Sequence, residues 1–200
     1  MVPPQRTFPP VLLRQFIQTT IAEVGASELS QVIADASLID MNRISSINSL
    51  EAGEIYAKIQ QQLRLYYGRG ARGLLLRIGQ GFWEPALLAQ GIVERTLAIG
   101  VKALPAGSRQ KPILDLLAKF MRGNEGSAAV HSLDLNLLFV DSSSPATVNL
   151  SESQPICFVS QGLIRGALYW ATGKNYDVEE TSCRAMGSDS CEFKVVVQGK

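Results

Sequence analysis

Apolar residues recur at helical spacing up to about residue 125 and at every second position after it. Val11, Leu12, Phe16, Ile17 and Ile21 share one helical face within residues 8–24, which Gly25 closes. Ser27 reads as the N-cap of a helix to about Ile39. Asn48 and Glu51 have capping-box spacing and open a helix with Ile55, Ile59 and Leu63 on one side. Leu74, Leu75, Ile78 and Phe82 mark a helix from residue 68, and Pro85 starts a further one to about Val101. Residues 108–122 form another, with Leu114, Leu117, Phe120 and Met121 inward and Gly123-Asn124 as its stop.

Beyond Gly126 the period is two. Leu133, Leu135, Leu137 and Phe139 alternate with Asp134 and Asn136, the pattern of a half-buried strand. Residues 141–145 read as a turn and 146–150 as a short strand. Ser153 and Pro155 open a helix through Leu163, Ile164, Ala167 and Leu168 to Gly173. Residues 175–184 and 191–197 are two more strands, joined by a Gly-Ser-Asp-Ser turn. The predicted class is α+β: N-terminal helices packed on a C-terminal antiparallel β-sheet with one inserted helix. No internal repeat and no long linker interrupts it.

Composition narrows the function classes. The 200 residues are 46% hydrophobic and 18% charged, which is ordinary globular material. A net charge of +1 provides no field for nucleic acid or an anionic membrane. The longest uncharged stretch, residues 153–164, is too short to span a bilayer. The proline-broken start, Met1-Val-Pro-Pro, does not read as a signal peptide. Three cysteines, an odd number and all within residues 157–191, fit a reducing cytoplasm.

Gly68-Arg-Gly70-Ala-Arg-Gly73 matches the G-x-G-x-x-G of dinucleotide sites. An amphipathic helix precedes it where such a site needs a buried strand, so it reads as a small-residue helix junction. His131, the single histidine, reads as a polar edge residue of a strand. Cys157, Glu180, Cys183 and Cys191 form a more informative set. A hairpin centred on Gly187 sets Cys183 opposite Cys191, close enough for two thiolates to share a metal. Cys157 falls in the first turn of its helix, where the dipole favours thiolate, and Glu180 adds an oxygen. Three sulfurs and a carboxylate make a tetrahedral shell that selects zinc. Glu180 and Cys183 are an odd number apart, so both can face one ion only if a bulge or the strand end lies between them. Spacing alone leaves open three buried cysteines packed as small hydrophobes, or a Cys183–Cys191 disulfide.

The segment Gly162-Leu-Ile-Arg-Gly-Ala-Leu-Tyr-Trp-Ala-Thr-Gly173, followed by Glu180, Cys183-Arg-Ala-Met-Gly187 and Cys191-Glu-Phe193, resembles the vinyl-4-reductase domain family. Tyr67-Gly-Arg-Gly-Ala-Arg-Gly-Leu-Leu-Leu-Arg-Ile-Gly79 is similar to its helical half. The resemblance implies the ligand-binding fold of NO-signalling and Golgi-transport proteins. Sensor domains of aromatic-responsive activators and vesicle-tethering (TRAPP) subunits share that fold. It implies a domain over residues 41–200, a helical half at 41–125 and a zinc-bearing half at 126–200, after a helical extension at 1–40. The zinc ligands of the family's sensors map onto Cys157, Glu180, Cys183 and Cys191, and a structural Zn2+ is expected there. The His and Trp that hold a phenolic hydroxyl in the aromatic sensors have no counterpart here.

The expected function is a stand-alone binding or sensor domain for an apolar small molecule, of hydrocarbon or tetrapyrrole type. The alternatives are a reductase or accessory protein acting on a tetrapyrrole vinyl group, and a scaffold without ligand. The chain supplies no flavin motif or iron–sulfur spacing, which favours binding over chemistry. A site between helices and sheet would draw on Phe82, Trp83, Phe120, Met121, Phe139, Tyr169 and Trp170. A homodimer is the expected assembly, its contact extended by residues 8–40.

Overall fold

A computed structural model describes residues 6–121 and 127–197. Helix α1 (Pro10–Val24) begins with proline in its first turn, where the missing N–H is no loss. It ends at Gly25, whose φ of 90° a side chain would disfavour. The single helix expected from Ser27 to Ile39 is divided. Helix α2 (Ala26–Val32) stops at extended Ile33, and a 3₁₀ turn follows at Ala36–Ile39. The Asp35 side chain accepts from the Ser37 N–H and Asp40 from the Asn42 N–H, which caps the short α3 (Met41–Ile44). Two aspartates offering caps outcompete continuation of one helix.

Helix α4 (Ser49–Tyr67) opens as the sequence predicts. Asn48 Oδ1 accepts from the N–H groups of Leu50 and Glu51. Glu51 does not close the box; its carboxylate pairs with Arg43 at 2.6 Å. The Gly68–Gly70 segment is a 3₁₀ turn between two helices, the junction expected of the glycine motif.

Pro85 does not start a helix: α5 (Ala71–Leu88) runs straight through it. Phe82, Trp83, Ala86 and Leu87 are buried on both sides of the proline, and that packing outweighs one lost backbone hydrogen bond. Helix α6 (Ile92–Ala103) follows, and then α7 (Gln110–Met121). The expected stop at Gly123-Asn124 and the boundary between the halves lie outside the described residues.

The alternating run at 133–139 is two strands rather than one. Strands β1 (Ala128–Leu133) and β2 (Asn136–Asp141) form a hairpin whose two-residue turn holds Asp134 at φ 47°. Leu133 and Leu135 are exposed at this turn while Leu137 and Phe139 are buried. The strand expected at 146–150 is instead a 3₁₀ turn, Pro145–Thr147, packed against α4. Helix α8 (Phe158–Thr172) starts later than Ser153 and ends at Gly173, φ 71°. Strands β3 (Asp177–Ser182) and β4 (Cys191–Val196) complete an antiparallel sheet of order β1-β2-β4-β3.

The layers follow from these faces. Helix α7 packs on β1 and β2, and α8 packs on β3, α7 and α5. Helix α5 is covered in turn by α1 and flanked by α4. The α+β class and the helix inserted in the sheet hold. Among the described residues no helix is long and apolar enough to cross a membrane.

Candidate functional site

The four residues singled out by spacing come together and are all buried. Cys157 is the residue preceding α8, Glu180 lies on β3, Cys183 follows β3 and Cys191 begins β4. The β3–β4 register explains how residues three apart reach one face. Glu180 pairs with Phe193 and Ser182 with Glu192, so two steps on β3 cross one on β4. Thr181 is the extra residue of a bulge, which turns Cys183 to the side that holds Glu180.

The ligand atoms lie within 4.8 Å of one another. The Cys157 sulfur is 3.4 Å from that of Cys191 and 3.9 Å from that of Cys183. Sulfurs bound tetrahedrally to one zinc at about 2.3 Å would stand about 3.8 Å apart. All three cysteines are free thiols, not a disulfide pair. The Cys157 backbone N–H donates to Glu180 Oε2 at 2.9 Å, while Glu180 Oε1 is buried without a partner. The Arg184 backbone N–H points at the Cys191 sulfur, 3.4 Å away, and Ser144 Oγ lies 3.8 Å from the Cys157 sulfur.

Crowding sets the protonation states. Burial pushes the Glu180 carboxyl up to about 8, reinforced by Cys183 and opposed by hydrogen bonds from Cys157. The Cys157 thiol is raised by its hydrogen bonds to Cys183 and Cys191 and by burial. Cys183 is lowered because the Cys157 and Cys191 thiols both donate to it. For Cys191, the hydrogen bond with Cys157 lowers the thiol, but Cys183 and burial outweigh it and raise it. One thiolate thus collects the protons of its neighbours. A divalent cation would invert that order, since it favours every anionic form at once.

Asp141, which the sequence marks only as the start of a turn, sits opposite Cys191 across the β2–β4 ladder. Its Oδ1 accepts from the Ser143 N–H at 3.0 Å. Burial nonetheless raises its carboxyl to about 6, against the pull of Ser143 and Arg184. A carboxyl raised in the folded state adds stability when protonated and loses it as pH rises. The difference in unfolding free energy between wild type and Asp141→Asn, measured without added metal, is therefore expected to change between about pH 4 and pH 6. The variant gains by up to about 3 kcal/mol at the upper end. A pH-independent difference in denaturant melts would contradict this reading. Only tertiary pairing reveals Asp141, so no local pattern could have found it.

The aromatic candidates divide. Phe82 faces α1 and meets Phe16 edge-on at 6.0 Å. Trp83 stacks on Phe120 at 5.7 Å and meets Trp170 at 5.9 Å, which unites α5, α7 and α8. Met121 packs half-buried against the core, and Phe139 meets Phe193 within the sheet. Tyr169 is exposed. Two grooves border the tryptophans. One, of about 470 Å³, is lined by Leu87, Leu88, Ile92, Ile99 and Trp170, with Glu84, Arg95 and Thr96 at its polar margin. The other, of about 400 Å³, includes Trp83, Tyr169, Trp170 and Lys102, whose ammonium lies 3.8 Å from the Trp170 ring centre. Both lie among helices, away from the expected helix–sheet interface. Leu88, Ile92 and Ile99, exposed apolar residues of one groove, escape a sequence reading because amphipathic patterning treats them as a solvent face. His131 is exposed on β1, opposite Leu138.

Known proteins resemble the two halves of the chain unequally. Residues 138–197 match the family model of the vinyl-4-reductase domain. An uncharacterized protein of Methanocaldococcus jannaschii is 39% identical over 83 residues, 42% of this chain and 45% of that protein. The matched region thus spans less than half the length of that curated relative. An H-NOX protein from S. oneidensis, solved in the Fe(II)NO ligation state, superposes with a TM-score of 0.59 at 14% identity. That likeness covers 96% of this chain and 100% of the other. A trafficking protein particle complex subunit 3 from Naegleria fowleri, covalently bound to palmitic acid, gives 0.50 at 17% identity, covering 74% and 95%. The chain therefore has the fold of H-NOX proteins and trafficking-complex subunits, and its residues 138–197, with all four clustered side chains, match the vinyl-4-reductase domain.

Proposed function

We propose that this chain is a small-molecule-binding domain of sensor type, stabilised by a structural zinc ion and taking an apolar ligand among its helices. Cys157, Glu180, Cys183 and Cys191 would hold the zinc; the orphaned Glu180 Oε1 and the spacing of the sulfurs support that donor set. Four protein ligands leave no open position for a reacting water, which makes the metal's role structural.

The observation that carries the ligand reading is the groove between α5, α6 and α8. Leu88, Ile92 and Ile99 are 68%, 73% and 67% exposed beside Trp170. Apolar side chains gathered at a concave surface gain when a hydrocarbon covers them. The NO and palmitic acid held by the two fold relatives support small-ligand binding as a use of this fold. On the other flank of α6, Val93, Leu97 and Leu104 are also exposed. That flank is the proposed contact of a homodimer, in which two copies bury it against each other.

Native mass spectrometry of the freshly purified protein tests the whole reading. The expected species is a dimer with zinc and an apolar molecule on each chain. Ile99→Glu is expected to remove the apolar mass and leave the zinc. Val93→Glu with Leu97→Glu is expected to give a monomer. An empty groove in the wild type, with no saturable uptake of palmitate or a polycyclic hydrocarbon, would leave only the scaffold alternative.

A further inference from the structure

A third cleft, of about 820 Å³, opens where α5, α7 and α8 meet the end of β4. Its chemistry differs from that of the apolar groove. Arg165, on α8, lines it half-buried, with one Nη held by the Val178 carbonyl at 3.1 Å and a buried Nε without a partner. Among the described residues no carboxylate lies within 4.0 Å of this guanidinium, whereas five other cations do form ion pairs. A cation stripped of part of its hydration and given no counter-ion is an incomplete interaction.

The rest of the wall supplies donors. The Tyr176 hydroxyl accepts from Gln110 Nε2 at 2.9 Å, which leaves its own proton free to donate. Lys174 adds an exposed ammonium at the rim, and Asp177 an exposed carboxylate. With one anion among two cations the cleft favours a single negative charge over the doubly charged phosphate. Val196 and Val197 give it an apolar side. A guanidinium fork, a phenolic donor and an apolar wall match a carboxylate on a short hydrocarbon body.

We propose that this cleft is a second ligand site, for a small organic carboxylate held by Arg165 and Tyr176. It depends neither on the zinc nor on the apolar groove. Calorimetric titration of the full, metal-loaded chain with benzoate and octanoate tests it, with benzyl alcohol and octan-1-ol as uncharged controls and inorganic phosphate as a competing anion. The carboxylates are expected to bind saturably and at least about tenfold tighter than the alcohols. Arg165→Met is expected to lose about tenfold or more, and Tyr176→Phe about three- to fivefold.

Arg165 also holds the Val178 carbonyl, so Arg165→Lys serves where Arg165→Met does not fold; it keeps the charge, loses the fork, and is expected to lose affinity as well. Ile99→Glu is expected to leave carboxylate binding unchanged. Equal affinity for acid and alcohol, preference for phosphate, undiminished binding in the Arg165 and Tyr176 variants, or loss of binding in Ile99→Glu would each overturn the assignment. The last result would move the carboxylate to Arg95 in the apolar groove.

Discussion

Elemental analysis of the protein purified without chelator is expected to return one zinc per chain, and Cys183→Ser to return none. Cys183 is the sulfur on which the other two thiols converge, and it follows directly on the bulge at Thr181. Its loss removes one ligand of four and leaves Cys157, Cys191 and Glu180 buried around a charge they can no longer share. Structural zinc adds folding free energy outright, and a hydrophobic core of this size keeps the apo chain from collapsing entirely. Loss of zinc is therefore expected to cost on the order of 3–6 kcal/mol, a melting temperature lower by roughly 10–20 °C.

Chelation of the wild type should reach the same end state, and Cys183→Ser should then be insensitive to chelator. Because the ligands must be deprotonated, zinc release is expected to become easier as pH falls. The burial that raises Glu180 to about 8 in the metal-free cluster acts in the same direction. Thiol titration adds an independent check. Three reactive thiols are expected to appear only after denaturation with chelator, whereas one thiol without reductant would mean a disulfide. Native protein that is metal-free and normally stable would end the zinc reading.

The cluster is legible in the sequence because its geometry is local in a strong sense. Cys183 and Cys191 flank one tight turn, and the odd spacing from Glu180 to Cys183 demands an irregularity that the register supplies at Thr181. Other features depend on partners distant in sequence. Pro85 reads as a helix start, yet burial of Phe82, Trp83 and Leu87 keeps α5 continuous through it. The alternation from Leu133 to Phe139 satisfies strand periodicity, but Asp134 tolerates a positive φ and the chain turns back there. Period-two patterning cannot separate one strand from two halves of a hairpin when the turn residues keep the alternation. The grooves are less accessible still. Trp170 and Ile99 look like ordinary members of amphipathic helices until α5, α6 and α8 are placed side by side.

The α5–α8 crossing carries the other large expected effect. A Cβ on Gly79 would stand 2.2 Å from the Val159 carbonyl oxygen, and one on Gly162 would stand 2.2 Å from that of Leu76. At Gly166 the Gln80 oxygen would be 2.6 Å away. All three obstacles are backbone atoms of a packed helix, so no side chain can swing aside. Alanine normally gains about 1 kcal/mol over glycine inside a helix. Here Gly162→Ala is expected to lose about 3 kcal/mol or more, because α5 and α8 must separate along their shared length. Gly73→Ala, on α5 itself, is the contrast: its nearest neighbour would be the end of the Arg77 side chain at 3.8 Å. It should be neutral or slightly stabilising.

The crossing also reaches the metal site. Cys157 immediately precedes α8, so displacing that helix from α5 shifts one sulfur relative to the two held by the hairpin. Gly162→Ala should therefore weaken zinc retention as well as stability, while Gly73→Ala changes neither. Denaturant melts followed by zinc release under a competing chelator measure both. A Gly162→Ala protein as stable as wild type would mean that the two helices are not held in this contact, and that α8 does not fix the position of Cys157.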